Sequence, residues 1–126
     1  MNGRATIVAA LAAIEGLHPT QSNPDTPTEG AAWPVWVQST VTGNGKLAQP
    51  LTHTYEVYCV LPAGYHPDTV DKADGLIDQL AAALRRIATL QQIEPVAIAF
   101  DTNQTMPGIR IRLTPRALPT QKGTPR

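Results

Sequence analysis

The sequence is poor in the residue types that carry covalent or metal chemistry. Cys59 is the single cysteine among 126 residues, so no disulfide can form within the chain. It lies among apolar and aromatic residues, where a free cysteine usually behaves as a small buried hydrophobic residue. His18, His53 and His66 are scattered, and none has a cysteine or carboxylate at metal-ligand spacing. We therefore expect no metal, no cofactor and no enzymatic activity.

Aromatic residues and an excess of charge are also scarce. Phe, Trp and Tyr make up 5% of the chain, and ten basic residues balance ten acidic ones. Basic aromatic platforms, the usual mark of single-stranded nucleic-acid binding, are missing from the sequence. A balanced charge does not draw a protein to nucleic acid or to membranes. No apolar stretch approaches the ~18–20 residues of a membrane span, so we expect no membrane partner.

Two segments have the apolar spacing of amphipathic helices. The first is predicted over residues 3–17 and ends at His18-Pro19, because the residue before a proline avoids the helical conformation. The second is predicted over residues 68–90, with Asp68 as its N-cap. Its apolar positions repeat at alternating spacings of three and four: Val70, Ala73, Ile77, Leu80, Leu84 and Ile87.

Four segments alternate between apolar and other residues and predict strands, over residues 32–41, 52–61, 96–100 and 109–113. Pro34 lacks an amide donor, so the first strand lies at a sheet edge or begins its pairing after the proline. With the helices, the order is α-β-β-α-β-β. We predict an α+β fold, an antiparallel sheet of about four strands with both helices on one face. The domain covers residues 1–114, and residues 115–126 form a flexible, proline-rich basic tail.

Helices on one face leave the other face of the sheet uncovered. By alternation, Trp36, Tyr58 and Val60 are predicted to lie on that face. Aromatic residues left on a sheet surface favour a protein interface. Arg110 and Arg112 share one face of the last strand. We expect them to stay exposed or to pair with acids of a neighbouring subunit, and contact with phosphate is the alternative.

Four features follow one another along the chain: a helix ending in Ala12-Ala13-Ile14-Glu15-Gly16-Leu17, the strand Trp33-Pro34-Val35-Trp36-Val37, the strand Tyr55-Glu56-Val57-Tyr58-Cys59-Val60-Leu61-Pro62, and a long helix followed by strand, turn and strand. In order, length and residue character, they resemble the tail terminator proteins of long-tailed bacteriophages, which are head–tail joining proteins of the phage neck. The resemblance covers about residues 3–115 and rests on no diagnostic motif.

The resemblance implies a structural virion protein that forms a homo-oligomeric ring, commonly a hexamer. Made in the host cytoplasm, the ring would cap the tail tube protein and join it to the head-side connector protein. DNA would pass through its lumen without sequence recognition. The resemblance implies lateral subunit contacts at Trp36 and Tyr58, with Arg110 and Arg112 facing a neighbour or the lumen. It implies axial contacts at Asp25 and at the turn of Gly43, Asn44, Gly45 and Lys46.

Three other functions remain open at this point. The nearest is a different component of the phage neck, a head-closure or connector protein. A second is an enzyme or small-molecule binding module, which requires a pocket with convergent polar groups. A third is nucleic-acid binding through Arg110, Arg112 and the basic tail, which salt-dependent retention on DNA would reveal.

Overall fold

The computed structural model describes residues 3–25, 28–41, 51–62, 67–101 and 104–116. Within these ranges the chain forms an α+β fold with two helices and one mixed sheet of five strands, in the sheet order β1-β2-β3-β5-β4. The elements in chain order are α1 (Gly3–Ala12), β1 (His18–Pro19), β2 (Ala31–Val41), β3 (Leu51–Val60), α2 (Pro67–Arg85), β4 (Ala88–Asp101) and β5 (Gln104–Pro115). The predicted α+β class is confirmed.

The sheet has one more strand than we predicted, and that strand is parallel to its neighbour. His18 pairs with Ala31 and Pro19 with Ala32, whereas the other strand pairs are antiparallel. Gly30, just before β2, has a φ of 89°, and a Cβ at this position would lie 2.5 Å from the carbonyl oxygen of Gly16. This close approach of two backbone segments therefore requires glycine. A strand of two residues shows no alternation, so tertiary packing alone reveals it.

Both helices end earlier than their apolar spacing predicted. Helix α1 stops at Ala12, yet Ile14 and Leu17 remain buried in the core. Helix α2 stops at Arg85, and β4 begins at Ala88, eight residues before the predicted strand. Leu90 pairs with Leu113 of β5. The apolar spacing thus identified core positions such as Leu80 and Leu84, although Val70 of the same predicted stripe is 46% exposed. It could not distinguish the end of a helix from the irregular or extended chain that follows.

Strand β2 places Trp36 on the face of the sheet opposite to the one we predicted. Trp36 pairs with Tyr55 and Gln38 pairs with Thr54, so Val37 forms a bulge between them. Directly opposed residues share a face of the sheet. Trp36 therefore lies on the face of Tyr55, and our prediction that it shares a face with Tyr58 is wrong. The placement of Pro34 at a sheet edge is correct, because β1 covers only the first two residues of β2.

The main core lies between the two helices and one face of the sheet. Helix α1 contributes Ile7 and Leu11, and α2 contributes Leu80 and Leu84, all without solvent exposure. These side chains pack in one cluster with residues of the central strands: Tyr55, Val57, Cys59, Ile109, Ile111 and Leu113. We call this the helix face of the sheet, and the opposite side the open face. Among the described residues, no helix is both long and apolar enough to cross a membrane.

Candidate functional site

The open face is divided into an apolar half and a charged half. In the apolar half, the rings of Trp33 and Tyr58 stack with 5.9 Å between centroids and 13° between planes. Trp33 is only 3% exposed. It packs in a second cluster with Ala31, Val60 and Ile98, against which Tyr58, Val96 and Met106 also pack. This half of the open face is therefore a small core of its own.

Gly108 makes room for this second core. Its partners across the sheet are Val60 on β3 and Val96 on β4. A Cβ at position 108 would collide with the Cδ1 atom of Ile98 and would lie 2.7 Å from the carbonyl oxygen of Cys59. The missing side chain thus allows Ile98 to lie across β5 and join the cluster of Trp33.

In the charged half, two glutamates and two arginines form one ion-pair network. Arg112 donates to the Glu56 carboxylate from Nη2 at 3.0 Å and from Nε at 3.3 Å, and the Tyr58 hydroxyl donates to the same carboxylate at 3.1 Å. Arg110 lies between the acids, bonded to Glu94 and 3.9 Å from Glu56. Both arginines predicted to contact a neighbour or the lumen are therefore paired with acids of their own chain.

The predicted subunit-contact residues do not form one surface. Tyr58 lies on the open face, between Trp33 and the ion-pair network, and Trp36 lies on the helix face. Of the predicted axial contacts, Asp25 is exposed, and Gly43, Asn44, Gly45 and Lys46 lie outside the described residues.

The distal part of β2 and β3 forms a projecting two-stranded arm, defined here as residues 36–41 and 51–54. Strand β5 pairs with β3 from Tyr55 to Val60, so among the residues that the structure describes no third strand supports the arm. Trp36 is 54% exposed, and Val41 and its partner Leu51 are 58% and 54% exposed. The register places all three side chains on the same face of the ribbon.

Hydrogen bonds fix the orientation of the exposed tryptophan. Trp36 Nε1 donates to Ser39 Oγ at 2.9 Å, and Ser39 Oγ lies 2.6 Å from His53 Nδ1. All three side chains are on the surface of the arm. Their chain of bonds restricts the rotation of the indole, so the arm presents Trp36 in a defined position. The sequence contained no signal for this arrangement, because the bulge at Val37 creates it.

Both outer edges of the sheet contain features that hinder strand pairing with another chain. On β2, Arg4 Nη1 donates to the carbonyl oxygen of Pro34 at 2.9 Å and to that of Gln21 at 2.6 Å. Strand β4 contains Pro95 and has register irregularities near both ends. Prolines, bulges and occupied carbonyls block the hydrogen bonds that edge-to-edge pairing needs.

The described residues offer little that could perform chemistry. A groove of about 290 Å³ between the end of α1 and the first half of α2 contains an ion pair of Lys72 and Glu29, 3.5 Å apart and both exposed. Cys59 is buried, as predicted, and burial raises the pKa of its thiol to about 12, which removes it as a nucleophile. Within the described ranges, no three His, Cys, Asp or Glu residues could hold a metal ion.

Comparison with known proteins does not assign the chain to a family. No protein-family model matches the chain, and no curated protein is significantly similar to it.

Proposed function

We propose that this protein is a structural subunit of a bacteriophage tail, a tail terminator that assembles into a homo-oligomeric ring in the neck of the virion. The observation that carries the proposal is the apolar face of the arm, where Trp36, Val41 and Leu51 are each more than half exposed. The order and character of the elements, which resemble those of tail terminators, supply the particular role.

In a single copy of the chain, these exposed apolar side chains contribute no burial free energy to stability. Burying one side chain of this size contributes roughly 1.5–3 kcal/mol, and an isolated two-stranded ribbon is marginally stable at best. Contact with another subunit would cover the three side chains and support the arm. The hydrogen bond from Trp36 to Ser39 reduces the entropy lost on such contact.

The pairing of charges in the charged half of the open face supports a role in which DNA passes without being bound. Glu56 and Glu94 neutralise Arg110 and Arg112 within the chain. A lumen lined by such pairs would carry little excess positive charge and would allow DNA to pass without being held. In the proposed assembly, one side of the ring caps the tail tube protein and the other meets the head-side connector protein.

The first test measures the assembly state of the purified full chain, and the second measures which partner the assembled protein binds. We expect native mass spectrometry and particle images to show closed rings, commonly of six copies. Added to purified tail tubes, the rings should cap one end and stop further growth. A protein that remains monomeric at every concentration would contradict the proposal. Rings that bind portal-type connectors and ignore tail tubes would instead assign it to head closure.

A further inference from the structure

We infer that the arm of one copy packs against the end of the β4–β5 hairpin of the next copy. The hairpin end is defined here as residues 95–99 and 104–107. This inference rests on the proposed function and specifies which two surfaces of the chain form the contact between subunits.

The two surfaces lie at opposite ends of the sheet. Strand β3 runs antiparallel to β5, with Tyr55 opposite Leu113 at one end of the pairing and Val60 opposite Gly108 at the other. The arm extends beyond the Tyr55 end, and the hairpin end extends beyond the Gly108 end. A contact between two different surfaces is heterologous, and repeating it generates a ring if the rotation closes. The fold thus places the surfaces where head-to-tail assembly needs them.

Both surfaces, as defined by these residues, lack charge, although charged residues make up 16% of the chain and Asp101 follows nearer the tip of the hairpin. The arm contains no Asp, Glu, Lys or Arg in residues 36–41 or 51–54, and neither do residues 95–99 and 104–107. The core of a protein interface is depleted of charged residues, because each one must lose its water on association. Contact between arm and hairpin end would bury no ionised side chain, whereas docking on the charged half of the open face would compete with its ion pairs.

The hairpin end also has a wide, open depression. A shallow groove of about 450 Å³ is lined by Pro95, Val96, Ala97, Thr105, Met106 and Pro107. Methionine adapts to the shape of a partner, and large aromatic side chains are the commonest anchors of interfaces. Trp36, held by its hydrogen bond to Ser39, is such an anchor. We therefore assign the groove as the receptor for the apolar face of the arm.

Cross-linking between two different cysteine variants tests the contact directly. Leu51→Cys places a thiol on the arm, Ala97→Cys places one on the hairpin end, and both positions are exposed. The native Cys59 is buried and does not compete for the reagent in the folded protein. Gln79→Cys, on the exposed surface of α2, is the matched control. The variants are mixed under conditions that exchange subunits and treated with a short bifunctional thiol reagent.

We expect the mixture of Leu51→Cys and Ala97→Cys to form covalent dimers about tenfold faster than either variant alone, because assembly raises the effective concentration of the paired thiols. It should also react about tenfold faster than either variant mixed with Gln79→Cys.

A second experiment measures the protein concentration needed for assembly. Trp36→Glu should raise that concentration by about tenfold or more, which corresponds to about 1.4 kcal/mol. Thr40→Glu, on the other face of the arm, should leave that concentration unchanged.

The outcomes separate this inference from the proposed function. If wild-type rings form but Leu51→Cys cross-links equally fast with itself or with Gln79→Cys, the arm contacts a different surface and the inference is wrong, while the ring stands. The same holds if rings persist and no cross-link forms. If the wild-type chain is monomeric at every concentration, the proposed function fails first and this contact with it.

Discussion

Tyr58 stacks on Trp33 across two neighbouring strands, with ring centroids 5.9 Å apart. The same tyrosine donates its hydroxyl hydrogen to Glu56, 3.1 Å away. Tyr58 therefore joins the apolar half of the open face to its ion-pair network. Its ring and its hydroxyl are both engaged within the chain, which makes it a structural residue of the open face before any partner is considered.

The two tryptophans should differ sharply in their effect on stability. Trp33 is 3% exposed in the second core, so Trp33→Ala should lower the free energy of unfolding by about 3–5 kcal/mol. Trp36 is 54% exposed, and Trp36→Ala should cost the single chain less than about 1 kcal/mol. Urea denaturation at one low protein concentration measures both. Equal losses for the two variants would show that the assignment of faces is wrong.

Removing the charge of Glu56 should weaken the fold more than removing an exposed acid. Glu56 is 9% exposed and accepts hydrogen bonds from Arg112 and Tyr58. We expect Glu56→Gln to lower the free energy of unfolding by about 1–3 kcal/mol, because the negative charge and one of the two acceptor oxygens are lost while Arg112 keeps its charge. Glu29→Gln, which breaks an exposed pair with Lys72, should cost at most about 1 kcal/mol. A loss for Glu56→Gln as small as that of the control would contradict a structural role for the network.

Two glycine-to-alanine substitutions should change the free energy of unfolding in opposite directions. Gly108→Ala places a methyl group against Ile98 and the backbone of Cys59, and should destabilise the fold by about 1–3 kcal/mol through overpacking. Gly75 lies within α2, and a Cβ there meets nothing within 4 Å. Gly75→Ala should therefore stabilise by about 0.5–1 kcal/mol through its helix propensity. Thermal and urea unfolding measure both, and a neutral Gly108→Ala would mean that Ile98 does not lie across β5.

Stability at alkaline pH should depend on Cys59. Burial raises the pKa of its thiol from 9.0 to about 12, so the folded chain keeps the proton that the unfolded chain loses above pH 9. The stabilising contribution is complete below pH 9 and is lost as the pH rises toward 12, by about 1.4 kcal/mol per pH unit. Unfolding of the wild type and of Cys59→Ala at pH 8, 9 and 10 isolates this contribution, because other titrating groups affect both proteins. Parallel pH profiles would contradict it.

The spacing of apolar residues in the sequence predicted much of the main core between the helices and the sheet. Val57 and Cys59 share one face of β3 with Tyr55, and Leu80 and Leu84 share one face of α2, as their spacing predicted. This information is local, because burial of one face imposes a period of two on a strand and 3.6 on a helix. The α+β class follows from the order of these periods along the chain.

Pairing between distant segments decided the rest. The bulge at Val37 exists only because β2 must match β3, and it brings Val41 to the same face of the arm as Trp36. Likewise, Arg110 meets Glu94, and Arg112 meets Glu56, only once the register of β5 with its two neighbours is set. A shift of one residue reverses every side chain beyond it, and no local pattern records such a shift. The sequence by itself therefore determined the main core and the class of the fold, whereas the tertiary structure decided the second core around Trp33 and which residues remain on the surface for a partner.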